Sequence, residues 1–117
     1  MIEVKNISKN FGTVRALSEL SMNVPKGSIY GLVGPNGAGK TTIINHLMGV
    51  YKPDSGSVLI DGEDVWENTA LKKRVLCIND EWYFYPSFSM KEMAKLYEGI
   101  YPDFNRERYE KLSEILP

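Results

Sequence analysis

Gly34-Pro35-Asn36-Gly37-Ala38-Gly39-Lys40-Thr41 matches the pattern G-x-x-x-x-G-K-[ST] at every defined position. This octapeptide follows an apolar run, Ser28 to Val33, that is typical of a buried parallel strand, and it precedes a helix-like run, Thr41 to Met48. A phosphate-binding loop needs this context, because the strand aims the loop and the helix N-terminus behind it attracts anions. The stretch therefore predicts a loop that binds the phosphates of a nucleotide, which we call the phosphate loop.

Each residue type in the phosphate loop suits the contact expected of it. Its glycines can adopt positive φ or let a ligand approach closely, so that backbone N–H groups converge on one concavity. Lys40 is a point cation that reaches the β- and γ-phosphates, and the Thr41 hydroxyl is a ligand of the kind Mg²⁺ prefers. A glycine-rich turn before an ordinary helix would explain neither side chain. The predicted contacts of ATP are Gly34, Asn36, Gly37, Ala38, Gly39, Lys40, Thr41 and Thr42, with Thr42 on the α-phosphate side.

Length and composition are those of one ordinary globular domain. The chain has 117 residues, of which 43% are hydrophobic and 25% charged. Its net charge is −1 and its only basic run is short, residues 72–74, so we expect no nucleic-acid binding. The single cysteine, Cys77, precludes an internal disulfide and is expected to be buried in a strand. No apolar run approaches the ~20 residues that span a bilayer, and no signal peptide opens the chain, so we expect a cytosolic protein.

Apolar periodicity and turn residues predict the remaining elements. We expect strands at residues 1–8, 16–24, 57–60 and 75–78, the second of them half-buried and antiparallel. Asp61-Gly62 is a hairpin signal, and Gly49 is expected to end the helix that follows the phosphate loop, whose inward residues would include Ile44. Further on, Ser89 and Glu92 form a capping box that opens a helix to about residue 99, and Asn105 caps a last helix.

This order of elements predicts an α/β fold with three parts. They are a P-loop NTPase core, an antiparallel β flank and the start of a helical subdomain. We assign residues 1–80 to the nucleotide-binding core with its flank, and residues 81–117 to the beginning of the helical subdomain. A parallel sheet normally needs further strand–helix units to cover both of its faces, and none follow in this sequence. The pattern therefore indicates a truncated domain.

Several motifs at matched spacing resemble the N-terminal half of an ATP-binding-cassette (ABC) transporter ATPase. They run from residue 1 to about residue 100 and comprise Phe11-Gly12, Ala16-Leu17, the phosphate loop, Gly49, the stretch 53–58 and the stretch 60–62. The resemblance implies a subunit that couples ATP binding and hydrolysis, with Mg²⁺, to membrane transport. It also implies a homodimer or heterodimer of ATPase domains, held by a transmembrane permease subunit at the cytoplasmic face of the membrane.

The resemblance assigns roles to two residues outside the phosphate loop. Phe11 falls at the position of the aromatic residue that stacks on adenine, although a turn aromatic that plugs the antiparallel flank is the alternative. Asp80 matches by spacing the family's glutamine after the strand, and it could touch Mg²⁺ or its water through a carboxylate. Because the side chain differs from glutamine, a solvated acidic turn is an equal alternative for Asp80 and its neighbour Glu81.

The aromatic stretch bears on partners, and the one histidine needs a separate interpretation. The aromatic stretch from Trp82 to Phe88 lies where similar proteins face the membrane subunit, and aromatic rings suit an interface, although packing under the local helices is the alternative. His46 lies close to the phosphate loop, whereas the family's switch histidine lies far downstream, so His46 is not that histidine. We expect His46 to be a surface or boundary residue of its helix.

The family motifs that this sequence lacks concern hydrolysis. Residues 1–117 contain no match to the signature loop, to the later carboxylate motif with its catalytic glutamate, or to the switch histidine. We therefore assign no catalytic residue, apart from Asp80 as the possible glutamine equivalent, and expect the chain alone to bind ATP·Mg with little or no hydrolysis. Asp80 and the aromatic stretch are similar to ATPases of ABC-2-type exporters, but the substrate stays open.

Two other functions are compatible with a phosphate loop. A small P-loop kinase would need an arginine-bearing lid, and the four arginines, at positions 15, 74, 106 and 108, are not clustered in the sequence. A stand-alone, non-hydrolytic nucleotide-binding or interaction module would need a fold without an exposed sheet edge, because open apolar edges aggregate. Its stability as an isolated chain distinguishes this alternative.

Overall fold

The chain forms two compact units, residues 1–77 and residues 78–117. The computed structural model describes residues 1–80 and 85–116. No helix in these described ranges is long and apolar enough to cross a bilayer. The predicted functional division at residues 80 and 81 stays a prediction.

A four-stranded antiparallel sheet is the centre of the first unit. Its spatial order is β2 (Val14–Val24), β1 (Ile2–Phe11), β3 (Ser55–Ile60) and β4 (Glu63–Asp64). The central strand β1 pairs with β2 on one side and β3 on the other, with Val4 opposite both Met22 and Val58. The sheet confirms the predicted antiparallel flank, and β2 shows the predicted half-buried alternation.

The Asp61-Gly62 turn joins β3 to β4 as the sequence predicted. Both residues have positive φ, 49° and 80°, which is the conformation of a two-residue hairpin turn. Ile60 pairs with Glu63 across this turn. The Met1 ammonium donates to Asp61 Oδ1 at 2.6 Å and holds the pKa of that carboxyl below its usual range. The chain terminus is thereby tied to the turn.

The core lies between this sheet and helix α1 (Lys40–Leu47), with the short helix α2 (Thr69–Lys72) at its edge. Ile43 of α1 is buried, but Ile44 is exposed, which corrects the prediction that Ile44 faces inward. Gly49, with φ of 67°, follows α1 as predicted. The buried apolar cluster of this unit comprises Val4, Ile7, Leu17, Ile43, Val58, Val65 and Leu71.

Two predicted strands are absent from the described residues. Residues 28–33 lead into the phosphate loop without strand pairing, and the side chains of Ile29 and Val33 are 102% and 95% exposed. Residues 75–78 also form no strand, and Cys77 is half-buried rather than fully buried. An apolar run becomes a buried strand only when neighbouring strands supply hydrogen bonds on its edges. Neither run belongs to the sheet of the described residues, so both predictions were wrong for this structure.

The second unit contains two capped helices, α3 (Met90–Ile100) and α4 (Arg106–Ile115). The predicted capping box is present: Ser89 Oγ accepts from the Glu92 N–H, and the Glu92 carboxylate accepts from the Ser89 N–H at 2.7 Å. Asn105 caps α4 by accepting from the Arg108 N–H at 2.8 Å. An ion pair between Arg106 and Glu98 joins the two helices. Both sequence signals were sufficient because caps are local interactions.

The start of β3 yields a test of how tightly the sheet is packed. A Cβ at Gly56 would lie 2.3 Å from the Lys5 carbonyl oxygen, whereas a Cβ at Gly62 would meet nothing within 4 Å. The two glycines have nearly equal φ, 82° and 80°. We expect Gly62→Ala to cost about 1–2 kcal/mol for its left-handed backbone. Gly56→Ala should cost a further ~1–3 kcal/mol for the overlap. Urea denaturation measures both, and equal losses would contradict the packing of β1 on β3.

Candidate nucleotide-binding site

The phosphate loop ends at the N-terminus of α1, which is open to an anion. Gly39 immediately precedes the helix in the left-handed conformation, with φ of 92°, and no side chain caps this end. The first turn of α1 also contains no acidic residue. The leading N–H groups and the helix dipole are therefore available to a negatively charged group.

Gly39 also fixes the loop against strand β2. A Cβ at this position would lie 3.0 Å from Leu17 Cδ2 and 3.3 Å from the Ala16 carbonyl oxygen. Gly37, two residues earlier, also has positive φ, at 86°. At Gly34 a Cβ would approach the Ala38 Cβ to 3.3 Å. The glycines of the pattern therefore permit a tight loop whose backbone packs directly on the sheet.

The Lys40 ammonium lies across the phosphate loop itself. It donates to the carbonyl oxygens of Gly34 and of Pro35, the latter at 3.1 Å. None of the ion pairs among the described residues involves Lys40. Neutral carbonyls hold the ammonium in place without cancelling its charge, so the loop retains a cation for an anionic ligand.

A cavity of about 460 Å³ opens between the phosphate loop and the start of β2. This volume is within the range of small-molecule sites. Its lining, within the part of the chain that the structure describes, includes two cationic residues, Arg15 and Lys40, and no carboxylate. Of the predicted contacts, Gly34, Ala38, Phe11 and Asp80 do not line it. Its lining comprises Val14, Arg15, Ala16, Asn36, Gly37, Gly39, Lys40, Thr41 and Thr42.

Residues 14–16 of this lining were missed by sequence reasoning. The pattern Ala16-Leu17 was noted only as part of a family resemblance. The half-buried alternation of the strand gave no indication that its first residues line a cavity with the phosphate loop. A usable signal was the short Gly12-Thr13 turn, since it places Val14 directly opposite Phe11 in the sheet. A predicted adenine contact on β1 therefore brings the first residues of β2 with it.

Phe11 lies at the end of β1, where several contacts fix its position. Its ring meets Tyr51 edge-on at 5.1 Å, and Lys9 Nζ lies 5.5 Å from its centroid. The Asn10 N–H donates to the Asp54 carboxylate at 2.8 Å, which lowers the pKa of Asp54, and Lys9 contributes in the same direction. The Phe11 side chain is nevertheless 42% exposed. It thus packs in the flank and is also partly exposed, so both its adenine contact and the alternative of a packing role stay predictions.

His46 is fully buried, which corrects its predicted surface position. It lies three residues after Ile43 and hence on the same inward face of α1. Its Nδ1 lies 2.7 Å from the Thr42 carbonyl oxygen, and its ring meets Tyr51 edge-on at 5.8 Å. Nε2 has no hydrogen-bond partner within the described part of the chain. His46 therefore supports the helix behind the phosphate loop from inside the core.

The remaining predicted residues lie in or next to the second unit. Asp80 is exposed and belongs to that unit. Of the aromatic stretch, residues 82–84 lie outside the described residues, as does Glu81. Tyr85 and Phe88 are both exposed, with ring centroids 5.0 Å apart. Roles for Asp80 in metal binding and for the stretch in partner binding stay predictions.

Comparisons with known proteins agree with this geometry. The family model of the ABC transporter matches residues 17–116. The SkfA peptide export ATP-binding protein SkfE of Bacillus subtilis (strain 168) is 36% identical over 119 residues, which cover 98% of this chain and 49% of that protein. The Fe(3+) ions import ATP-binding protein FbpC of Photorhabdus laumondii subsp. laumondii is 33% identical over 91 residues, covering 78% of this chain and 26% of that protein.

Among solved structures, an ATP binding subunit of an ABC transporter superposes with a TM-score of 0.81 at 26% identity. The match covers 94% of this chain and 46% of that one. The chain thus spans about half the length, or less, of these three proteins.

Replacing the loop cation tests whether the site binds phosphates. Lys40→Ala should weaken ATP binding by about 1.5–3 kcal/mol, because it removes a charge-assisted contact. Lys91→Ala, which removes an exposed lysine from α3, is the matched control and should leave the dissociation constant unchanged. Isothermal titration calorimetry measures both. Equal ATP affinities in Lys40→Ala and the unmodified protein would exclude Lys40 as a phosphate contact.

Proposed function

The chain belongs to the ABC transporter family of ATP-binding proteins, and on this basis we propose that the intact protein couples ATP binding and hydrolysis to transport across a membrane. One observation supports this proposal most: the phosphate loop, the uncapped N-terminus of α1 and two cations line one cavity, and no carboxylate of the described residues lines it. Such a cavity favours a polyanion of the size of a nucleoside triphosphate.

Different residues of this site contact different parts of the ATP molecule in this proposal. The backbone N–H groups from Gly37 to Thr42 surround the phosphates, and Lys40 leaves the loop carbonyls to reach the β- and γ-phosphates. Phe11 offers its exposed surface to adenine. Asn36, Gly34 and Ala38 contribute by shaping the loop. These assignments rest on the loop geometry and on the family to which the chain belongs.

Mg²⁺ fits this site by the chemistry of its donors. Thr41 lines the cavity in the first turn of α1, and a hydroxyl oxygen together with phosphate oxygens is a ligand set that Mg²⁺ accepts. When bound, Mg²⁺ would neutralise charge on the phosphates. Asp80 is proposed as a second contact through its exposed carboxylate.

With residues 1–117 alone, the site is expected to bind ATP without hydrolysing it. Phosphoryl transfer to water depends on a group that positions the water and on charges that surround the transferring phosphate. Residues 1–117 supply the charges through the phosphate loop. They contain no match to the family's catalytic glutamate, signature loop or switch histidine. We therefore expect ATP·Mg binding by this segment with little or no turnover.

Partners and location follow from the same proposal. The intact protein pairs as a homodimer or heterodimer of ATPase domains and binds a transmembrane permease subunit at the cytoplasmic face of the membrane. The stretch from Trp82 to Phe88 is the proposed contact with that subunit. Its transport direction is open, because one of the two relatives is named for export and the other for import. A stand-alone module is not favoured, since both relatives are ATP-binding proteins of transporters.

Truncating the Phe11 ring tests the proposed adenine contact. Phe11→Ala should weaken ATP and ADP binding equally, by about 1–3 kcal/mol, while leaving pyrophosphate binding unchanged. Phe11→Tyr keeps the aromatic face and serves as the matched control. Competition binding with the three ligands measures the effect. If Phe11→Ala lowered pyrophosphate binding as much as ATP binding, the ring would be a packing residue of the flank and not an adenine contact.

Turnover tests the proposed division between binding and hydrolysis. The intact protein should hydrolyse ATP, and a polypeptide of residues 1–117 should turn over at least ~100-fold more slowly while still binding ATP, because single charge-stabilising groups are worth that much. Steady-state phosphate release and ATP titration of both samples provide the measurement. Comparable turnover in the two would contradict this division. Absence of ATP binding and hydrolysis in the intact protein would contradict the proposed function itself.

A further inference from the structure

Arg15 lies in the nucleotide cavity and has no assigned role. It stands on the wall of the cavity formed by β2, opposite the phosphate loop, and lines it together with Lys40. Two other arginines, Arg74 and Arg106, are held in ion pairs with glutamates. Within the described ranges, Arg15 makes no ion pair. Among the described residues it is therefore a cation without an ion-pair partner, in a cavity that no described acidic side chain lines.

A β-bulge explains how Arg15 reaches this cavity. Lys9 pairs with Leu17 and the next residue, Asn10, pairs with Arg15, so Ala16 is an extra residue in β2. A regular strand would present only alternate side chains to one face, and a bulge re-aims its neighbours. At this bulge Arg15 and the extra residue Ala16 both line the cavity.

The backbone on both sides of Arg15 is fixed relative to the two ends of the nucleotide site. Val14, immediately before it, pairs with Phe11, the proposed adenine contact. Ala16, immediately after it, brings its carbonyl oxygen against the position of Gly39 in the phosphate loop. Arg15 thus lies between the adenine end and the phosphate end, which is where the first phosphate of a nucleotide would be.

We propose that Arg15 recognises the α-phosphate of the bound nucleotide, the group that joins the nucleoside to the rest of the phosphate chain. The inference rests on the proposed nucleotide-binding function and adds a specificity-determining residue to it. A guanidinium presents a planar pair of N–H donors that matches two oxygens of a phosphate. Lys40 would hold the terminal phosphates, and Arg15 would select ligands in which a phosphate is attached to a nucleoside.

Calorimetric titration of the intact protein tests this role with ATP, ADP and pyrophosphate. Arg15→Gln should weaken ATP and ADP binding by about tenfold or more, which is the range of a charge-assisted contact. Pyrophosphate has no nucleoside-linked phosphate, so its affinity should change by less than about twofold. Arg15→Lys retains the charge without the planar fork and should recover part of the ATP affinity. Arg108→Gln removes an exposed arginine from the second unit and should change none of the three affinities.

The outcomes separate this inference from the function on which it rests. Unchanged ATP affinity in Arg15→Gln, with normal binding by the unmodified protein, would overturn the role of Arg15 alone. An equal loss for pyrophosphate would also overturn it, because Arg15 would then contact the terminal phosphates. If Arg15→Gln and Arg15→Lys both lowered the melting temperature and lysine restored no ATP affinity, Arg15 would have a structural role and the proposed recognition would be overturned. Failure of the unmodified protein to bind ATP would instead contradict the proposed function.

Discussion

The close contact between the phosphate loop and strand β2 is the constraint on which the site depends. A Cβ at Gly39 would lie 3.0 Å from Leu17 Cδ2 and 3.3 Å from the Ala16 carbonyl oxygen, so a side chain there would force these neighbours to shift. Leu17 is itself part of the buried cluster, so the loop is anchored to the core through a single glycine. The sheet therefore determines where the N-terminus of α1 points. Without this contact the backbone N–H groups would have no fixed direction, and their electrostatic effect on an anion would be lost.

Charge in the first unit is arranged around the same contact. The cavity beside Gly39 has Lys40 on one wall and Arg15 on the other, and no carboxylate of the described residues lines it. Three acidic groups near this sheet are engaged elsewhere: Asp54 with the end of β1, Asp61 with the chain terminus and Glu63 with Arg74. With no described carboxylate at the cavity, the positive field of the loop and helix is retained there, which favours a polyphosphate over a neutral ligand.

Sequence reasoning succeeded where the structure is decided locally. The positive φ of Gly37 and Gly39, the Asp61-Gly62 hairpin and the caps at Ser89 and Asn105 each depend on a few adjacent residues, and each was predicted correctly. It failed where burial depends on distant neighbours. The apolar run at 28–33 needs partner strands that no described residue provides. His46 was predicted to be a surface or boundary residue of its helix, whereas its position on α1, three residues after Ile43, places it in the core.

A crystal structure of the intact protein with Mg²⁺ and a non-hydrolysable ATP analogue would show whether the phosphate loop binds the nucleotide. We predict phosphate density against the N–H groups of Gly37 to Thr42, with Lys40 Nζ moved from the carbonyls of Gly34 and Pro35 to the phosphate oxygens. An analogue bound elsewhere, or a loop site in which Lys40 still donates to those two carbonyls, would contradict it.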